Sequence, residues 1–349
     1  MDYLGGAMGR RKRFIIICAL LISFFLLFWI DPEGSFALEK DEQVKIFHAK
    51  IKALLSKKIL PMIDVEYHHG GKIEIERLID RMDENGVALV WLGPNENQGS
   101  KESLRLHSAY PDRFVPTTVH GDGKKWHGSD QGFLEKLATA VRSGKYFAMG
   151  EFEALHYASS TNTRHVHMPV DSPAMKVVFE LSTEAGIPFL LHHEAEDQAL
   201  PELERMLAQY PKAKLIWCHV GRNRDPGTWK KFRTADTVRE LLQKYPNLYF
   251  DLVQSKPGSK YQWTGQVEGI MYDAFQDRAN LNKEWKRLFE DFPTRFVFGS
   301  DINTGRFENY NRIIDTFRSI VFKDLRNDVA ERIAFKNAWK FMSGKEWED

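Results

Sequence analysis

Cysteine is nearly absent: Cys18 and Cys218 are the only two in 349 residues. Cys18 lies inside an apolar run, so no intrachain disulfide is expected and a fold stapled by bridges is excluded. Glycine-rich phosphate loops are also missing. No G-x-G-x-x-G or G-x-x-x-x-G-K-[ST] follows a strand-like stretch, which leaves an open nucleotide-binding sheet without support. Internal repeats and low-complexity tracts are lacking too. Charge of one sign is not in excess. Four of the 49 basic and three of the 48 acidic residues precede position 38, which leaves the body with no formal net charge. A balanced body argues against nucleic acid as a partner.

One long hydrophobic run is present, and it stands at the start. Arg10, Arg11, Lys12 and Arg13 precede seventeen uncharged residues, Phe14 to Ile30, after which Asp31 and Glu33 restore polarity. This is the pattern of a targeting segment, with its basic flank on the cytoplasmic side and the rest exported. Ser35-Phe36-Ala37 has the small residues of a cleavage site. The run also reaches the lower limit for a spanning helix. Residues 1–37 are therefore expected to be a signal peptide or a membrane anchor. The body would be periplasmic, either released near Ala37 or tethered through residues 14–30, and would meet the membrane only through this segment.

A basic amphipathic lead-in helix is expected over 38–58. From Ile59 onward apolar runs alternate with helical patterns. The runs are Ile59–Val65, Val87–Leu92, Phe114–Val119, Tyr146–Met149, Ile187–Leu191, Leu215–Cys218, Leu248–Leu252 and Arg295–Phe298. Short apolar runs separated by helices of ten to fifteen residues imply parallel βαβ units. Eight of them predict an α/β protein whose residues 59–345 form a closed (β/α)8 TIM barrel. Two connections exceed what a barrel needs, Phe152–Pro173 and Gln254–Phe292. The first carries His156, Arg164, His165 and His167, the second Tyr261, Trp263 and Tyr272. Both are read as loops that cover a substrate.

Polar residues stand where several apolar runs stop: Glu66 and His68, Glu151, His192, His219 and Asp301. A barrel of parallel strands gathers such residues at one mouth. In Ile63-Asp64-Val65-Glu66-Tyr67-His68 alternate side chains share a face, so Glu66 and His68 can point to one ion. His192 and His219 each follow a buried run directly, where an imidazole has no packing role. Asp301 follows Phe298-Gly299-Ser300, and a carboxylate there can bind metal or take a proton. His193 faces away from His192 and is not counted. Arg222, Arg224, Lys230 and Lys231 are read as solvated surface.

Together Glu66-x-His68, GIPFLLH to His192, LIWCHVG to His219 and FVFGSD to Asp301 resemble the amidohydrolase superfamily, in its amidohydrolase-related branch. Asp171-Ser172-Pro173 and IAFKNAWKF at Ile333–Phe341 look like that branch as well, so the resemblance spans Ile59 to Gly344. It implies a metal-dependent barrel in which Glu66, His68, His192 and Asp301 hold a divalent ion. His219 would be a second-site ligand or the group that polarises the substrate. Glu151 matches a strand-four carboxylate that bridges two metals in some relatives, or it orients a ligand from outside. No lysine closes strand four, since Lys145 precedes it, so a carboxylated-lysine bridge is not expected. A mixed oxygen and nitrogen set suits Zn2+ or Mn2+. The expected activity is hydrolysis of a small-molecule substrate at an ester, lactone or amide-like bond, with Asp301 and His219 as catalytic groups. Where the commonest pattern has His-x-His, this chain has Glu66-x-His68, and some Glu-x-His relatives are decarboxylases of aromatic acids. A decarboxylase is thus the alternative activity, and a binding barrel that has lost catalysis is the alternative of another class.

Overall fold

A computed structural model describes residues 39–158, 165–221, 234–253, 255–261, 265–275 and 278–348. The expected targeting or anchor segment lies outside the described residues, as do Arg164, Trp263 and the basic residues Arg222, Arg224, Lys230 and Lys231. Among the described residues no helix is long and apolar enough to cross a membrane.

The body opens with a helix, Lys40–Ser56, whose buried Phe47 and Ile51 face the core. Eight parallel strands follow: β1 Met62–His69, β2 Val87–Pro94, β3 Phe114–Pro116, β4 Met149–His156, β5 Pro188–His193, β6 Lys214–Trp217, β7 Leu248–Asp251 and β8 Phe296–Val297. Ladders join β1 to β2 to β3, and β4 to β5 to β6 to β7 to β8. Two seams connect these groups. At the first, Phe147 N–H donates to Pro116 O at 2.9 Å and Thr118 N–H to Ala148 O at 3.1 Å. At the second, Val65 N–H donates to Phe298 O at 3.1 Å and His68 N–H to Ile302 O at 2.8 Å. A ring of eight strands with helices between them is consistent with the expected (β/α)8 barrel.

The connecting helices start and stop where the local chemistry requires. Ser172 accepts from Met175 N–H with Pro173 in the first turn, so Pro173–Ala185 begins without an orphaned donor. Asp130 and Asn282 cap Gln131–Arg142 and Lys283–Asp291 in the same way. Outside the ring the aromatic rings form a ladder. Trp217 and Phe250 stack at 5.6 Å, Phe250 and Phe296 at 6.1 Å, and Phe296 meets Phe289 of the helix layer at 4.7 Å. Because strand side chains alternate, the residue after Phe250, Asp251, points to the inside of the ring.

Strand boundaries differ from those read in the sequence. β1 runs on to His69 and β4 to His156, because β2, β5 and the segment after β8 continue to supply hydrogen-bond partners past the apolar run. Glu66, His68 and Glu151 therefore sit within strands. The long connection after β7 holds an antiparallel hairpin, Tyr272–Phe275 with Arg278–Leu281. Its Tyr272 lines a separate groove with Gly258 and Val267.

Candidate metal centre

The chain directs each polar side chain into the ring by a different local device. Alternation along β1 aims Asp64, Glu66 and His68 the same way while Val65 and Tyr67 are buried on the other face. In β4 the register slips between Met149 and Phe152, and Gly150 takes the left-handed φ of 78° that this bulge needs just before Glu151. His219 and Val220 follow β6 with φ of 59° and 52°, and Asp301 follows β8 with φ of 50°. These conformations are costly for residues with a Cβ, on the order of 1–3 kcal/mol each, and persist where surrounding bonds over-determine them. Here Asp251 Oδ1 accepts from His219 N–H at 3.1 Å, and Glu66 O accepts from Asp301 N–H at 3.0 Å.

All six residues expected at the mouth come together. Glu151 stands at the centre with its two oxygens turned to different neighbours. Oε1 lies 3.1 Å from His192 Nδ1 and 3.6 Å from His219 Nε2, and those two nitrogens are 3.1 Å apart. Oε2 lies 3.2 Å from His68 Nε2, which is 3.4 Å from Asp301 Oδ1 and 4.0 Å from Glu66 Oε1. Glu66 Oε1 also reaches to 3.7 Å from His219 Nε2. Two donors held at about 2.1 Å by one tetrahedral ion stand roughly 3.4 Å apart. The separations fall around that value, and the donor atoms form four overlapping sets, among them Glu151, His192, His219 and Glu66, His68, Asp301.

Charge and satisfaction point the same way. Glu66 is 1% exposed, yet neither of its oxygens has a hydrogen-bond partner, and His68 Nε2 stands among carboxylates, 3.2 Å from Glu151 Oε2 and 3.4 Å from Asp301 Oδ1. Burial pushes the Glu66 carboxyl well above the ordinary range, and the nearby charges of Asp251, Glu151 and Asp301 push it further. Burial acts to lower His68, but the carboxylates of Asp301 and Glu151 overcome it and raise the imidazole to about 10. Glu151 is buried as well, and its bonds to His192, His219 and His68 hold it well below the ordinary carboxylate range. Burial raises Asp251 to about 7 despite the N–H it accepts from His219. Glu66, buried with neither oxygen in a hydrogen bond, calls for a counter-charge that the Arg306–Asp301 pair does not provide. A divalent cation supplies it, so the residues fit a metal.

Above the ligand atoms opens a cavity of about 510 Å³ whose walls include His68, His120, Glu151, His192, Asp301 and Arg306. His156, expected on the first long connection, lines it from the end of β4, whereas among the described residues none of the lining comes from the second connection. His219 is 2% exposed and is not among the residues that line the cavity, a position suited to a ligand more than to a group that touches substrate. Arg306 grips both oxygens of Asp301, Nη1 to Oδ2 and Nη2 to Oδ1 at 2.6 Å each. Burial works against ionisation of Asp301, but the Arg306 charge and the imidazoles of His219 and His68 hold it well below the ordinary range.

The amidohydrolase family model matches residues 161–342, just over half of the chain. The chain belongs to this family. The amidohydrolase is thus an enzyme, and a metal-dependent hydrolase. Its fold is similar to that of dihydroorotase from Campylobacter jejuni, with a TM-score of 0.51 and 16% identity over 83% of this chain and 85% of that one. It is also similar to the dihydroorotase from Saccharomyces cerevisiae solved in complex with 5-fluoroorotic acid, with a TM-score of 0.54 and 13% identity over 81% and 84% of the two chains. No curated protein matches the sequence.

Three residues of the amidohydrolase's site were not expected from the sequence. His120 follows the apolar run Phe114–Val119 and so carries the same signal as His192 and His219. Burial, reinforced by the His68 charge, holds its imidazole well below the ordinary histidine range. Asp251 is hidden inside a run that reads as pure strand. Arg306 lies on the turn Thr304–Asn309, where no periodicity marks it.

Proposed function

We propose that this is an exported hydrolase in which water activated by a divalent metal attacks an ester, lactone or amide-like bond of a small substrate. Carrying the reading is the Glu151 carboxylate, whose Oε1 faces His192 and His219 while Oε2 faces His68. On a (β/α)8 barrel Glu66, His68 and Asp301 would hold one ion and His192 and His219 another, with Glu151 available to both. The ions, Zn2+ or Mn2+, supply Lewis acidity and bring the pKa of bound water towards neutrality. The protein supplies the rest. Asp301 lines the cavity and takes the proton of the attacking water, for which Arg306 must yield at least one carboxylate oxygen. Arg306 is 38% exposed in its side chain and stands on a surface turn, so it has room to do so. His219 is fixed from behind by Asp251 and keeps Nε2 directed to the ligand cluster.

Elemental analysis of the purified protein tests the reading, with activity on a panel of esters and lactones measured before and after chelation. Bound Zn2+ or Mn2+ and loss of turnover on chelation are expected. Protein that binds no divalent ion and gains no activity from any sinks it. Carbon dioxide release from hydroxylated benzoates, without hydrolysis, would instead select the decarboxylase suggested by Glu66-x-His68. Export rests on the basic and apolar segment before Asp31. Fractionation of cells that express the full chain tests it, with recovery in the cytosol as the refuting result.

A further inference from the structure

In the strand-one motif a carboxylate, Glu66, stands beside His68, so β1 brings a single imidazole to the mouth. Two strands away the structure offers another. In the β1–β2 ladder the partner of His68 is Gly93. Because Gly93 has no side chain, nothing separates His68 from the segment after β3, and His120 reaches across the gap. The rings of His68 and His120 meet edge to face with centroids 4.3 Å apart. A Cβ built on Gly93 would lie 1.6 Å from His120 Nε2, so the imidazole occupies the very space a side chain at 93 would need. His120 N–H donates to Pro94 O at 2.8 Å, which anchors the residue to β2. His68, His120 and Glu151 each offer a ligand atom within 4.8 Å of the others. His120 is 3% exposed, and its Nδ1 has no hydrogen-bond partner. A buried imidazole with an unpaired nitrogen at a cavity wall is placed to bind, not to pack.

We propose that His120 supplies a second imidazole beside that of His68 and holds one divalent ion together with His68 and Glu151. This rests on the reading that the mouth binds metal. It adds a nitrogen to a site otherwise dominated by carboxylates, and imidazole favours Zn2+ or Co2+ over Mn2+.

The test uses the full chain stripped of metal and titrated with Co2+ against a chromophoric chelator, with the visible d–d spectrum recorded at each step. Wild type, H120Q and G93A are compared, and melting of each metal-free protein checks its fold. G93A keeps His120 but denies it the space, so it provides a second and independent perturbation. Both variants should lose on the order of a hundredfold or more in affinity for one ion, with an altered spectrum. That exceeds the roughly ten- to hundredfold cost of removing a group that only supports a ligand. The remaining ion should bind as before, and preference for Co2+ over Mn2+ should narrow. If one variant does not fold, the other decides. Wild-type affinity and spectrum in the folded variants overturn the assignment while leaving the metal reading intact. A wild-type protein that binds no Co2+ overturns both.

Discussion

Asp64 is the side chain whose replacement tells most about how the site is built. It is fully buried one turn of alternation below Glu66, and its Oδ1 accepts from Glu66 N–H at 3.2 Å and from Ser300 N–H at 2.8 Å. One oxygen thus ties the strand that carries Glu66 and His68 to the segment that carries Asp301. Burial raises the carboxyl from 3.8 to about 7, despite the hydrogen bonds from Ser300 and Glu66 that oppose it. A carboxyl whose folded pKa is raised binds its proton more tightly in the folded state, so stability falls as pH rises from the unfolded pKa through the folded one. A shift of about three units at roughly 1.4 kcal/mol each gives an order-of-magnitude penalty of about 4 kcal/mol above pH 7 and almost none near pH 4. Asp64→Asn keeps an oxygen for both N–H donors and cannot ionise. In chelator, its unfolding free energy in urea should match wild type at pH 4.5 and exceed it increasingly towards pH 8, by up to about 4 kcal/mol. Asp64→Ala leaves both N–H groups without an acceptor and should destabilise at every pH by about 1–3 kcal/mol for each. A gap between Asp64→Asn and wild type that does not change with pH would refute the reasoning. So would one that shrinks as pH rises.

Other residues give sharper readings of the chemistry. Arg306→Met removes the guanidinium that steadies the Asp301 anion, so the acid limb of the kcat/KM profile should move to higher pH; an unmoved limb would show that Asp301 is not the proton acceptor. Asp251→Ala takes the acceptor from the left-handed His219 and from Val253 N–H, and should cost on the order of 2–4 kcal/mol in stability, measured by urea unfolding. Gly150→Ala puts a Cβ 2.6 Å from the Phe152 ring at a φ of 78°, so it should lower both the melting temperature and metal content by displacing Glu151. Full metal content in a folded Gly150→Ala protein would detach Glu151 from the ions.

The ring of strands was legible because each apolar run is bounded by polar residues and followed by a helical pattern, the alternation that parallel βαβ units impose. The mouth was legible for the related reason that Glu66, His68, His192, His219 and Asp301 are polar where burial is expected. His120 carried the same mark and escaped notice because its use depends on a space at Gly93, which lies in another strand. Asp251 escaped because its neighbours Leu248, Phe250 and Leu252 are apolar and a single acid in a strand pattern gives no direction. That Glu151 serves two neighbours with two oxygens is a matter of side-chain torsion and of the bulge at Gly150. The grip of Arg306 on Asp301 depends on a turn whose shape no periodicity encodes. The hairpin at Tyr272–Leu281 went unread because its strands lack apolar alternation, with Asp273, Ala274 and Phe275 all exposed.

The seam between β8 and β1 gives the enzyme a safeguard in time as well as in space. Asp301 N–H to Glu66 O and Ser300 N–H to Asp64 Oδ1 join residues more than two hundred positions apart, and these same bonds set the ligands in place. Contacts of such long range come late, since the loop entropy between them must first be overcome. A growing or truncated chain that lacks residues beyond Phe298 would have every histidine of the centre and still no complete centre. On the proposed reading the centre is therefore completed only when the segment after β8, with Ser300 and Asp301, has docked on β1.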